Sequence, residues 1–235
     1  MIIWNEQTVH WFRQASEYTG YNRELAGLLL ESLPTGGTLC DMGCGSGLVD
    51  FELAPYFREI TCVDISEAAA AAVERTAAER GIAHVKALCA DGSTVSGKWD
   101  CVMALFHGGP EAFERYYPKA AHTLLIATHA SKVGDLGPQN RRVIKESDVA
   151  GLAAYLDARS IRYTLRNAEL EYGQPLADPE EARRFVRNYA MPMESGELEA
   201  YLEQNLRKTG REDFPYYLPK QRKFGIFVIR RGDNA

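Results

Sequence analysis

Along the chain, short apolar runs of strand length alternate with longer stretches whose apolar residues recur at helical spacing. Leu25, Leu28, Leu29 and Leu33 fall at i, i+3, i+4 and i+8, so Asn22–Leu33 is predicted as an amphipathic helix that Pro34-Thr35-Gly36-Gly37 ends. Thr38–Met42 reads as a first strand, and a glycine turn leads from it into a helix beginning at about Leu48. Glu59–Ile65 reads as a second strand. Ser66 is placed to cap the helix after it, which runs to about Arg80 with Gly81 as its stop. His84–Ala90 and Trp99–Phe106 are the third and fourth strands, Pro110 opens the next helix, and His122–Thr128 is the fifth strand. Ser147 is expected to cap a helix with Val149, Leu152, Ala153 and Leu156 on one face, and Arg162–Tyr172 and Phe224–Arg231 are strands six and seven. Strand followed by helix, repeated, predicts an α/β fold with a parallel sheet covered on both faces.

About fifty residues separate the last two strands, too many for a bare loop. Pro179–Asn188 and Gly196–Lys208 are helical in character, and the segment is rich in Tyr, Phe, Leu and Met. The expectation is one domain over 1–235, with a helical cap at 1–33 and an inserted lid at 173–222. The lid contributes Phe185, Tyr189, Met191, Met193, Tyr201, Phe214, Tyr216 and Tyr217.

Composition changes this picture little. At 235 residues, 46% hydrophobic and 25% charged, the chain can bury a large core and is not disordered. A net charge of −5 argues against a global attraction for nucleic acid. The balance tilts locally, with eight basic residues between Arg207 and Arg231 against Glu212 and Asp213. No apolar run approaches the ~20 residues of a membrane span, and the first residues lack the pattern of a secretory signal. Cys40, Cys62, Cys89 and Cys101 lie in strand-like stretches, and none of the five cysteines forms a CxxC pair. That argues against structural zinc and a disulfide framework, and the expectation is a reducing, cytoplasmic compartment.

The chemistry gathers at the first turn. Asp41-Met42-Gly43-Cys44-Gly45-Ser46-Gly47 closes strand one and opens a helix, where glycine lets a ligand approach the backbone. Asp64 ends strand two, 21 residues after Gly43, placed to accept hydrogen bonds from ribose hydroxyls. Asp91-Gly92 ends strand three, within reach of a purine edge. The spacing departs from a dinucleotide fingerprint because the third glycine is Gly47 and Leu follows it. Asp41, two residues before the first glycine, would repel a pyrophosphate but suits an ammonium and a sulfonium.

The set Asp41, Gly43, Gly45, Gly47, Asp64 and Asp91 resembles the motifs of class I S-adenosylmethionine-dependent methyltransferases, over Asn22 to about Thr128. The resemblance implies a Rossmann-like, seven-stranded, mostly parallel sheet with strand seven antiparallel. It implies S-adenosyl-L-methionine as cofactor. Carried over, Gly43 and Gly45 cradle the methionine part, Asp64 holds the ribose, Asp91 with Gly92 holds the adenine amino group, and Ile65 and Leu105 lie beside the donor. Tyr18 and Tyr21 precede the first helix, where the family's N-terminal segments close over the donor, and Tyr21 is taken as a cofactor contact.

Strand four ends Ala104-Leu105-Phe106-His107-Gly108, without the Asn/Asp-Pro-Pro-aromatic motif of exocyclic amine and glutamine amide methylation. No cysteine follows a proline, which argues against the covalent route to C5 of pyrimidines. His107 and His129 both follow strands at the ligand edge and are candidate bases, with His107 preferred. The expected function is methyl transfer to a small-molecule acceptor, without nucleic acid, membrane or metal, and with the oligomeric state left open. The alternatives are an RNA or protein methyltransferase, motivated by the basic C-terminal tilt, or a donor-binding module without catalysis.

Overall fold

The computed structural model describes residues 4–107, 109–131, 148–190 and 192–234. The chain opens with α1 (Glu6–Thr19) and α2 (Tyr21–Leu30), separated by Gly20 at φ 73°. Asn5 starts α1 by accepting from the Thr8 backbone N–H, while the Thr8 hydroxyl accepts from the Asn5 N–H. The alternating part follows as β1 (Thr38–Met42), α3 (Leu48–Leu53), β2 (Glu59–Asp64), α4 (Glu67–Arg80), β3 (Val85–Cys89), β4 (Trp99–Leu105), α5 (Pro110–Tyr116), β5 (Ala120–His129), α6 (Val149–Asp157) and β6 (Thr164–Glu171). Ser66 caps α4 and Gly81 ends it at φ 65°, both as expected. The cap of α6 is Asp148, whose carboxylate accepts from the Gly151 N–H; Ser147 lies outside the described residues.

The insertion supplies β7 (Gln174–Leu176), α7 (Pro179–Tyr189), α8 (Ser195–Asn205), β8 (Arg207–Lys208) and β9 (Tyr216–Leu218), and β10 (Gln221–Arg230) returns to the main sheet. The helix expected through Lys208 stops at Asn205. Leu206 is extended, and Arg207–Lys208 pair with Tyr216–Tyr217 instead.

The main sheet has the order β3-β2-β1-β4-β5-β10-β6. Strands β1 to β5 pair in parallel, and β10 runs antiparallel to both β5 and β6, so β6 points the same way as the first five. This is the seven-stranded, mostly parallel arrangement that the sequence implied. Successive strand residues feed opposite faces. Leu39, Cys101, Met103 and Leu125 pack with α2, α3 and α4, while Cys40, Val102, Ala104 and Leu124 pack with α5 and α6.

A third core joins the N-terminus to the insertion. Trp11 of α1 packs with Leu176, Ala182, Phe185, Val186, Leu198, Leu202 and Leu218. Its indole N–H donates to the buried Glu181 carboxylate at 2.9 Å, and the other Glu181 oxygen accepts from the Ala177 N–H at 2.7 Å. The N-terminal helix and the insertion therefore share one core, and the insertion adds a three-stranded sheet β7-β9-β8. Among the described residues, no helix is long and apolar enough to cross a membrane.

Candidate active site

Parallel pairing brings the ends of β1 to β4 to one edge: Met42 aligns with Val63, Asp64 with Cys89, and Asp41 with Met103. An open parallel sheet offers its ligand crevice at this edge. The turn after β1 is tied down from two sides. Gly43 and Cys44 both donate backbone N–H groups to the Val63 carbonyl, at 2.7 and 3.0 Å. The Asp64 carboxylate accepts from the Gly45 N–H at 2.8 Å with one oxygen and from the Ser66 N–H at 2.9 Å with the other. Asp64 thus fastens the glycine turn to the start of α4, a role that its sequence position did not reveal.

Two of the glycines are needed for close approach. Gly43 (φ 81°) and Gly45 (φ 57°) occupy left-handed backbone that other residues adopt only with strain. A Cβ on Gly43 would fall 2.7 Å from Cγ of His107, and one on Gly45 would collide with the Trp4 indole. The turn is therefore overlaid by two rings, one from the end of β4 and one from the N-terminal segment.

Beneath the turn, Asp41 and Asp50 are buried at 1% and 0% exposure. Oδ1 of Asp41, both Asp50 carboxylate oxygens and the Ser46 hydroxyl have no hydrogen-bond partner among the protein groups described. Burial and the Asp50 charge hold the Asp41 carboxyl well above the usual carboxylate range. Burial pushes the Asp50 carboxyl up to about 7.

The other predicted donor contacts lie around the turn. Ile65, beside Asp64, is an aliphatic side chain 66% exposed, and Leu105 is half-buried at the end of β4. Asp91 is exposed, and the Ser93 N–H on its carboxylate at 2.8 Å holds its pKa below the usual value. A Cβ on Gly92 would meet the Tyr116 hydroxyl at 3.1 Å and the Met42 sulfur at 3.2 Å. That same hydroxyl lies 3.3 Å from Nε2 of His107, so Tyr116 bridges the turns after β3 and β4.

Phe106 has φ 58°, strained for a residue with a Cβ. Its ring packs 5.3 Å from Phe224 and 5.1 Å from His129, while the next residue, His107, covers Gly43. Arg222, where the insertion re-enters the sheet, lies over Tyr172 at 3.9 Å and Phe106 at 4.6 Å, and donates to the Tyr21 hydroxyl at 3.0 Å. Rings continue from Tyr172 through Phe12 to Trp4.

The structure thus gathers Asp41, Gly43, Gly45, Asp64 and His107, with Asp91 and Gly92 on the adjacent turn. Tyr21 is buried under Tyr172, with Arg222 on its hydroxyl, and Trp4 is the aromatic residue that covers the turn. Sequence reading missed Asp50, although an acid among Leu48, Val49, Phe51 and Leu53 was a visible signal. Tyr116 and the role of Trp4 carried no signal.

The residues fit a cationic donor. Asp41, Asp50 and Asp64 surround the turn, and the cation that reaches this cluster, Lys119, acts on the Cys40 thiol and donates to the Val95 carbonyl. Unpartnered buried carboxylate oxygens disfavour a pyrophosphate and accept an ammonium or sulfonium.

Residues 39–125 match the family described as a methyltransferase domain. No curated protein matches the chain. Among solved structures, a YcgJ protein from Bacillus subtilis superposes with a TM-score of 0.56 at 12% identity, covering 88% of this chain and 98% of that one. A geranyl diphosphate methyltransferase in complex with S-adenosylmethionine superposes with a TM-score of 0.55 at 16% identity, over 89% and 85%. A magnesium protoporphyrin IX methyltransferase from Synechocystis PCC 6803 gives 0.52 at 16%, over 95% and 89%. At these identities the structural likeness is one of fold. The matched segment runs from β1 into β5 and contains the glycine turn, Asp64 and Asp91, the residues in which it resembles the class I S-adenosylmethionine-dependent methyltransferases.

Proposed function

We propose that this protein transfers a methyl group from S-adenosylmethionine to a small-molecule acceptor enclosed under its cap. The observation that carries the reading is the pairing of a donor turn rich in acid with an aromatic wall, Trp4, Phe12, Tyr172 and Phe106, at the same sheet edge. When bound, the donor supplies an electrophilic methyl on a sulfonium. The chain's own residues do the rest. Gly43 and Gly45 admit the methionine part, the remaining lone pairs of Asp64 accept from ribose hydroxyls, Ile65 and Leu105 flank the adenine, and Asp91 and Gly92 face its amino edge.

His107 is proposed as the base that takes a proton from a hydroxyl or amine acceptor. It lies against Gly43, and Tyr116 orients its ring through Nε2. Positioning and exclusion of water supply most of the rate in an in-line methyl displacement, which gives the cap its purpose. Arg222 gives the acceptor side a positive charge, so the reading favours an anionic acceptor. Two proteins of the same fold are named for small-molecule acceptors, geranyl diphosphate and magnesium protoporphyrin IX, and this supports an acceptor of that size. The free cysteines suit a reducing, cytoplasmic compartment. Incubation with methyl-labelled donor and separated metabolite, tRNA and protein fractions tests the reading. Label should enter the metabolite fraction, and label confined to tRNA or protein would overturn it.

A further inference from the structure

The protonation of the buried carboxyl pair under the glycine turn has no part in the roles assigned above. Asp41 lies at the end of β1 and Asp50 in α3, both essentially without solvent contact, and each raises the cost of ionising the other. Two neighbouring carboxyl groups buried with oxygens that lack donors do not both ionise, so one of them carries a proton. The ionisable groups packed around the pair are thiols, a carboxyl and a phenol, and none of these is a cation. From β1 there is the Cys40 thiol, and from the turn the Cys44 thiol. From β2 there are the Cys62 thiol and the Asp64 carboxylate, and from α5 the Tyr116 phenol. Lys119, the cation that reaches the cluster, acts on Cys40. Three of the four carboxylate oxygens lack any hydrogen-bond donor among the protein groups described. A buried anion so poorly solvated responds strongly to any positive charge placed beside it.

We propose that Asp41 and Asp50 hold one shared proton before the donor binds and release it to solvent when the sulfonium arrives, so that Asp50 sets the preference for charged donor over neutral-sulfur product. The inference rests on the reading of this turn as the donor cradle. Transfer of the methyl group turns the sulfonium into a thioether and removes one positive charge from the site. The pair then regains its proton from water, the cradle no longer offsets a charge the ligand lacks, and the product leaves. Asp50 is a positioning residue in this scheme and touches no reacting atom.

Calorimetric titration with S-adenosylmethionine and S-adenosylhomocysteine, in buffers of different ionisation enthalpy, counts the protons released by each ligand. Near pH 7 the donor should release a substantial fraction of one proton more than the product does. Between pH 6 and pH 8 the affinity ratio of donor to product should rise several-fold. In Asp50→Asn the amide donates to Asp41 and the pair has no proton to share. The difference in released protons should vanish and the ratio should become flat with pH. Titration of the ligands' own ammonium persists in the variant, so it cannot mimic the effect. Equal proton counts for the two ligands in the wild-type protein would overturn the proposal even if no variant folds, and so would a folded Asp50→Asn that keeps the wild-type pH dependence. If neither ligand binds, the donor reading fails and this inference fails with it. If both bind with equal proton counts, only this inference is lost.

Discussion

Asp64 fastens the glycine turn and is proposed as the ribose ligand, and replacing it separates the two roles. Its carboxylate accepts two backbone N–H groups, one from Gly45 and one from Ser66. Each is a hydrogen bond to a charged group, and each such bond contributes about 1.5–3 kcal/mol. Asp64→Ala removes both. The Gly45 N–H would be left in a buried setting, while Ser66 at the start of α4 can regain water. The expected loss of folding stability is therefore about 2–4 kcal/mol, nearer one bond than two. Donor binding loses in addition the bond to a ribose hydroxyl, about 1.5–3 kcal/mol, or one to two decades in Kd. Denaturant unfolding measures the first loss and calorimetry at a temperature where the variant is folded measures the second. Asp64→Asn should fall between wild type and alanine, because it keeps one acceptor oxygen. A folded Asp64→Ala that binds S-adenosylmethionine with the wild-type Kd would refute the ribose assignment. Unchanged stability would refute the fastening role.

Three further outcomes follow from the same geometry. His107→Ala should lower kcat by ~10²-fold or more if the acceptor needs its proton removed, with donor Kd within a few-fold of wild type; normal turnover would leave His107 as packing against Gly43. Asp50 is raised to about 7 in the fold against about 3.9 when unfolded, so its protonated form stabilises the protein fully below pH 4 and that stability is lost as pH rises through 7. Unfolding free energy should accordingly fall between pH 5 and pH 8 in the wild-type protein and fall less in Asp50→Asn; parallel slopes would contradict the buried-acid account. Replacing Ala177–Pro219 by a short Gly/Ser linker, with Trp11→Gln to mask the exposed face of α1, should leave donor binding intact and abolish acceptor methylation; normal methylation of the native acceptor would show that the cap selects nothing.

The strand-helix alternation and the donor motif were legible because both are local. Ser66, Gly81 and Pro110 mark helix ends by their own backbone chemistry, and the sheet strands are apolar enough to read as runs. What escaped depends on contacts distant in sequence. The Trp11–Glu181 bond spans 170 positions, and nothing near Trp11 announces that α1 and the insertion share a core. Nothing in the sequence places the Tyr21 ring beside Tyr172 and Arg222, or the Trp4 indole over Gly45, since these partners lie far away along the chain. Arg207–Lys208 continued a helical pattern and became a strand because Tyr216–Tyr217 offered an edge to pair with. Phe106 at φ 58° is invisible in the sequence, since a phenylalanine ending a strand predicts extended backbone.

The central claim is that the turn from Asp41 to Gly47 receives a sulfonium nucleoside and not a pyrophosphate. Calorimetric titration of the purified protein with S-adenosylmethionine, S-adenosylhomocysteine and NAD tests it most directly. The account predicts saturable one-site binding of the first two, weakened by Asp64→Ala, and no heat of binding from NAD. Binding of NAD, with no response to either methionine-containing ligand, would contradict it.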